Sequence, residues 1–224
     1  MGIHPEGSLL VVTKRKVLII PAVICAAIML FAGSFFAFLH FTDWGFSREI
    51  PFSEQLQRLL MVHTAEQWRG TAEGSAEHEK ILQIYNSHEP LAQGYTVTAD
   101  DSWCAAFASS VAISCRLTGI VPTECGCERQ IGLWQSLGRW EENDNYIPLP
   151  GDYIYYAWDE KTYFGDCTGW ADHVGIVVGT AGPFIKVIEG NKDDMVGYRI
   201  ILRGDYQIRG FGLPDYASKL HKLQ

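Results

Sequence analysis

The chain predicts an α+β domain, with helices first and a mainly antiparallel sheet after them. Two observations carry this. Up to about residue 137 the apolar residues recur mostly at spacings of three and four, the period of a helix buried on one side. From Pro150-Gly151 onward they gather into short β-rich runs parted by Gly- and Pro-containing turns. A third feature stands apart from both. Residues 17–39 carry no charge and are almost wholly apolar.

Those 23 residues, rising about 1.5 Å each, cover roughly 35 Å, enough to cross a bilayer with some tilt. Lys14, Arg15 and Lys16 stand just before them, which holds the amino end in the cytoplasm and puts the rest outside. A cleaved signal peptide is the rival reading. Its apolar core runs only about 7–15 residues, and here the small-residue sites around Ala32-Gly33-Ser34 and Ala37 are interrupted by phenylalanines. A single-pass, uncleaved anchor in the cell membrane is therefore expected. The chain then divides into a cytoplasmic tail (1–16), a transmembrane anchor (17–39), a juxtamembrane linker and helix (40–65), a main domain (66–216) and a short tail (217–224).

Trp44 suits the membrane interface, and Ser53 is placed to cap a helix running to about Trp68, with Leu56, Leu59, Leu60 and His63 along one side. A second helix is expected over Ala76–Asn86, carrying Ile81, Leu82, Ile84 and Tyr85. His63 and His78 read as solvated or core-edge helix residues. A third helix starts after Asp100-Asp101-Ser102, the residue types that cap a helix, and runs from Trp103 through Phe107, Ala108, Val111, Ala112 and Leu117 until Gly119 and Pro122 end it. A short helical stretch follows around Ile131–Leu137. The strand runs are Tyr153–Trp158, His173–Val178, Phe184–Ile188, Val196–Leu202 and Tyr206–Leu213.

Charge narrows the partners. The chain has 18 Lys+Arg against 26 Asp+Glu, a formal −8. Residues 1–41 hold three basic residues and one acidic, which leaves 15 basic against 25 acidic beyond them and a formal −10. No basic stripe is present, so nucleic acid is excluded as a partner. Of six cysteines, Cys25 lies in the apolar segment, leaving Cys104, Cys115, Cys125, Cys127 and Cys167. An odd count in an exported domain points to one thiol kept for chemistry, and the other four pair in any of three ways. Cys125-Gly126-Cys127, even with Cys167 and His88, lacks the two-residue spacing of a zinc knuckle, and no zinc is expected.

Cys104 falls in the first turn of the third helix, where unpaired N–H groups and the helix dipole favour an anion. A thiol there ionises more easily, and the thiolate is the reactive form. About seventy residues on, His173 opens the second strand. A hairpin symmetric about Ala181 pairs His173 with Glu189, Gly175 with Val187 and Val177 with Ile185, so that a carboxylate orients the imidazole on one face of the sheet. Asn191 is the alternative or additional orienter, two residues along that face. This is a nucleophile, a base and an orienting group. Gly175 and Gly190 are expected to keep the surroundings open for a substrate chain.

Four stretches in order complete the reading: Trp103-Cys104-Ala105-Ala106-Phe107, Pro150-Gly151-Asp152-Tyr153-Ile154-Tyr155-Tyr156, Asp172-His173-Val174-Gly175-Ile176-Val177 and Ile188-Glu189-Gly190-Asn191. Together they resemble the motifs of the CHAP domain, the cysteine, histidine-dependent amidohydrolase/peptidase family, relatives of the NlpC/P60 group. The resemblance covers about Glu66 to Tyr216. It implies a papain-like fold and cleavage of amide bonds in peptidoglycan, either between muramic acid and L-alanine or within the peptides. By position it implies Cys104 as nucleophile, His173 as base, and Glu189 with Asn191 as polar partners. Some members bind calcium through an acidic loop. Asp159, Glu160, Asp166 and Asp172 have no regular ligand spacing, so neither metal nor cofactor is expected. Two other functions are compatible with the same residues: a wall-binding structural component of an envelope-spanning secretion or conjugation machine, and a cysteine peptidase acting on exported proteins.

Overall fold

The computed structural model describes residues 44–143, 145–158 and 167–221; the apolar segment 17–39 and the acidic loop 159–166 lie outside the described residues. Among the described residues five α-helices and six strands follow in the order α1 (Phe52–Glu66), α2 (Ala76–Asn86), α3 (Cys104–Ser114), α4 (Cys127–Ser136), β1 (Trp140–Glu141), β2 (Tyr153–Tyr156), β3 (His173–Ala181), β4 (Phe184–Lys192), β5 (Met195–Leu202), β6 (Ile208–Gly212) and α5 (Tyr216–His221). The strands form one antiparallel sheet in the order β1-β6-β2-β3-β4-β5. The α+β class with an antiparallel sheet is what the sequence predicts. No helix among the described residues is long and apolar enough to cross a membrane.

Side chains alternate across each strand, so the sheet has two faces. Tyr153, Tyr155, Val174, Ile176 and Ile188 pack with Trp103, Phe107 and Val111 of the helical layer. Ile154, Tyr156, Val177, Ile185, Val187, Ile201 and Phe211 form a second, smaller apolar cluster on the other face. The helix α3 sits at the centre of the first layer. Its residues Cys104–Ala112 are all buried, rather than one stripe of them as the periodicity suggests. Its small residues allow this: Ala105, Ala106, Ala108 and Ala112 let neighbours approach, while buried Ser109 bonds the Glu124 carbonyl at 2.8 Å and Ser110 the Ile81 carbonyl at 2.8 Å.

Helix ends differ from expectation in two places, the starts of α1 and α3. Helix α1 starts at Phe52 after Pro51, with no side-chain cap from Ser53. Its buried residues are Arg58, Met61, Val62 and Ala65, while Leu56, Leu59 and Leu60 are exposed, because Arg58 is drawn inward. Helix α2 runs over the predicted residues, with Ser75 Oγ accepting from the His78 N–H at 3.2 Å. His78 is fully buried, its ring 4.5 Å from that of Trp103, so the reading of it as solvated or core-edge is corrected. Cys115 is a thiol donating to Thr64 Oγ1 at 3.3 Å, which takes it out of the pairing scheme. Two-residue β1 has too few residues for a sequence pattern.

The Pro150-Gly151-Asp152 turn ties α1 and α5 to the sheet. Arg58 Nη1 donates to Asp152 Oδ1 at 2.8 Å and to the Pro150 carbonyl at 3.0 Å. Asp152 Oδ2 accepts from Tyr146 Oη and the Leu149 N–H, and Tyr216 Oη donates to the Gly151 carbonyl. Gly151 has φ +83, and a Cβ there would stand 2.6 Å from Tyr216 Oη. Helix α1, read from sequence as juxtamembrane, is thus built into the domain. Replacing one partner of a buried ion pair leaves the other charge uncompensated. Asp152→Ala is therefore expected to cost about 3–5 kcal/mol in urea unfolding of the full chain. Loss below about 1 kcal/mol would show that Glu54 and the Pro150 carbonyl suffice for Arg58.

Candidate active site

Two glycines set the distances here. A Cβ on Gly190 would lie 2.5 Å from Phe107 Cβ and 2.9 Å from the Trp103 ring, so only glycine lets the start of α3 rest on β4. A Cβ on Gly175 would lie 2.7 Å from Glu189 Cγ and 2.4 Å from Val187 Cγ1, so only glycine lets the Glu189 side chain lean across β3. Both spaces are filled by the protein itself, which corrects the expectation that they stay open for substrate. Trp103 is held from the other side by its indole N–H, which donates to Glu73 Oε2 at 2.9 Å.

The β3–β4 register differs from the symmetric hairpin. The turn is Gly182-Pro183, with Ala181 paired to Phe184. A register shift between Val177 and Gly179, a bulge, leaves Val177 opposite Val187 and Ile176 opposite Ile188. Continued two residues further, this places Glu189 across from Gly175 and diagonal to His173. The displacement is two residues, an even number, so Glu189 remains on His173's face. His173 Nε2 and Glu189 Oε2 are 3.1 Å apart. The Cys104 thiol, at the head of α3, is close enough to His173 for each to shift the other's titration. With Nε2 on the carboxylate, Nδ1 is the nitrogen left for the sulfur.

Asn191 is not hydrogen-bonded to this group. Its φ is +54, in the stretch between Glu189 and Lys192 where the β4–β5 ladder shifts register. No hydrogen bond joins its side chain to His173 among the described residues. Cys104, His173 and Glu189 are brought together; Asn191 is not joined to them.

Two residues that sequence reading missed complete the group. Arg199 on β5 donates through Nε to both Glu189 oxygens, at 2.8 and 2.9 Å, while its guanidinium lies 4.5 Å from the Trp158 ring. No motif marks it; a lone arginine on a strand has no sequence signature. Cys127 heads α4, and its sulfur lies 3.6 Å from that of Cys104. The helix start itself is uncapped by any side chain, since Asp101 accepts instead from Thr98 and Tyr95 in the loop before it. The first N–H groups of α3 therefore remain available to an anion. A cavity of about 370 Å3 lies along that loop, from Gln93, Tyr95 and Ser102 to Cys125 and Gly126.

The charges are mutually sustained. The hydrogen bond from Cys127 is the largest influence lowering the Cys104 thiol well below its ordinary range, and His173 adds to it against the opposing effect of burial. Burial opposes charge on His173 too, but its bonds to Cys104 and Glu189 outweigh this and raise it to about 9. Glu189 is 0% exposed, and burial pushes its carboxyl up; His173 and Arg199 together bring it below the ordinary value. The proton of the Cys104–His173 pair thus rests on the imidazole, giving a thiolate beside an imidazolium. Comparison with models of known protein families, with curated proteins and with solved structures returns no match.

Iodoacetamide alkylation of Cys104 in the full chain reports this ion pair. The thiolate forms as pH rises through the lowered thiol value, and the imidazolium is lost as pH passes about 9. The rate is therefore expected to be on a plateau at neutral pH, unlike a free cysteine half-ionised at about 8.5. Arg199→Gln leaves His173 alone to oppose burial at Glu189, so the carboxylate protonates earlier on acidification and the upper edge falls below 9. Alkylation at about pH 6 should slow about tenfold, and Arg199→Lys should restore part of it. An unchanged profile in Arg199→Gln would remove Arg199 from the electrostatics of the site.

Proposed function

We propose that this protein is a membrane-anchored peptidoglycan hydrolase of the CHAP type, cleaving amide bonds with Cys104 as nucleophile on a papain-like fold outside the cytoplasm. The observation that carries the reading is the Cys104–His173–Glu189 chain, with the thiol at a helix start and the imidazole fixed by a buried carboxylate. The four motifs resembling that family supply the substrate class, and the charge-free segment behind Lys14-Arg15-Lys16 supplies the anchor.

In this mechanism the Cys104 thiolate attacks the scissile carbonyl carbon, and the carbonyl electrons move onto oxygen. The N–H groups at the start of α3, which no side chain caps, stabilise that oxyanion. Collapse breaks the C–N bond as His173 gives its proton to the leaving amine, leaving a thioester on Cys104. Neutral His173 then takes a proton from water, whose oxygen attacks the thioester and releases the new carboxylate. Glu189 holds the ring and stabilises its cationic form; Arg199 keeps Glu189 ionised.

Purified wall digested with the full-length chain should show new termini by mass spectrometry. New L-alanine amines with intact glycan identify an amidase, and new termini within the peptides an endopeptidase. Cys104→Ala should abolish both while circular dichroism stays unchanged, since it removes one buried sulfur. Wild-type protein that leaves wall intact would overturn the reading.

Glu189→Gln keeps the shape of the orienter but removes its charge. Turnover should fall on the order of 10–1000-fold, less than for a serine triad because a thiol ionises more readily. Asn191→Ala should cost less, having no bond to His173. The reverse order of losses, measured at saturating substrate across about pH 5–9, would give the orienting role to Asn191.

A further inference from the structure

The mechanism above leaves Cys127 with no covalent part to play, although its sulfur is only 3.6 Å from the nucleophile's. We propose that Cys104 and Cys127 form a reversible disulfide, a modification site that takes the nucleophile out of use under oxidising conditions and returns it on reduction. This rests on the reading of Cys104 as a reactive thiol.

The geometry brings this pair together. Cys104 and Cys127 are the first residues of α3 and α4, held by separate helices that converge on one point. They are 3% and 7% exposed, and the sulfurs face each other directly. A disulfide bond is about 2.05 Å long, so the sulfurs must close by roughly 1.5 Å to form one. Cys125, two residues from Cys127, is engaged elsewhere: its thiol bonds Glu124 Oε1 at 3.5 Å and lies 3.9 Å from Gln93 Nε2.

The two thiols are suited to different steps. With hydrogen peroxide as oxidant, the Cys104 thiolate attacks one peroxide oxygen, the O–O bond breaks, and Cys104 becomes a sulfenic acid with loss of hydroxide. The Cys127 thiolate then attacks the Cys104 sulfur, the S–O bond breaks, and a second hydroxide leaves. The two thiol protons convert both hydroxides to water, and peroxide has taken the two electrons. While Cys104 is anionic, its hydrogen bond from Cys127 keeps that second proton in place. Sulfenic acid formation removes that anion, the largest influence holding the Cys127 proton, and leaves burial and Asp172 as the remaining opposition to its loss. A resolving thiol of this kind also spares Cys104 the irreversible sulfinic stage.

The test uses the full-length chain, reduced, freed of reductant and then exposed to hydrogen peroxide. Digestion without reduction should give a peptide joining Cys104 to Cys127 that dithiothreitol dissolves. Iodoacetamide labelling of Cys104 should fall by more than about tenfold after peroxide and return with dithiothreitol, wall hydrolysis following in parallel. In Cys127→Ser, with Cys127→Ala as the second variant, peroxide should carry Cys104 to sulfinic or sulfonic acid with no recovery of labelling. Cys125→Ser should still form the link. Wild-type Cys104 found as sulfinic acid beside an unmodified Cys127, or joined to Cys125, would overturn the proposal. The mass and labelling readouts need no wall substrate, so failure to cleave peptidoglycan would overturn the proposed function and leave this result readable.

Discussion

The contact of Phe107 with Gly190 sets how closely the cysteine helix lies on the sheet, and the rest of the site depends on that spacing. A side chain at 190 would push α3 outward and carry Cys104 away from His173. The same approach buries Trp103 and Phe107 completely, and aromatic burial of that size contributes several kcal/mol by area, about 25 cal/mol per Å2. The apolar core and the reactive group are therefore placed by one contact. Buried Trp103, braced by Glu73 and His78, fixes the residue immediately before the nucleophile.

Within that frame the costly element is a carboxylate with no access to water. Glu189 stays ionised because two cations reach it, His173 on one oxygen and Arg199 across both. Their attraction is strong for the same reason that burial is expensive: little solvent stands between them. The arrangement is directional. Arg199 sustains Glu189, Glu189 sustains the imidazolium, and the imidazolium with Cys127 sustains the thiolate. Aromatic rings frame this chain, Trp158 lying under Arg199 and tilted 5.9 Å from His173. In the proposed function this places charge where an acyl transfer needs it before substrate arrives.

Much of this was legible in the residues themselves. The ends of α2, the place of Cys104 in a first helical turn, and the β-rich runs follow from period, capping chemistry and turn residues, all of which are local. That Glu189 shares a face with His173 also follows, because side chains alternate with a period of two and an even displacement preserves the face. The pairing partner did not follow. The turn fell at Gly182-Pro183 and a bulge entered near Val178, neither of which a symmetric reading of the loop contains. Nor did the capping of α3, where Asp101 turned back to Thr98 and Tyr95.

The sequence by itself determined the helix-then-sheet order and the three chemical types at the site, since hydrophobic period and residue identity are properties of the chain. Only the tertiary structure decided which groups meet. Arg199 reaches Glu189 because β5 lies beside β4, and Cys127 reaches Cys104 because two helix starts converge. Glycines 175 and 190 acquired their meaning in the same way. Read along the chain they suggest open space, and in the fold they are where Glu189 and Phe107 fit, because a missing Cβ is informative only once its neighbours are known.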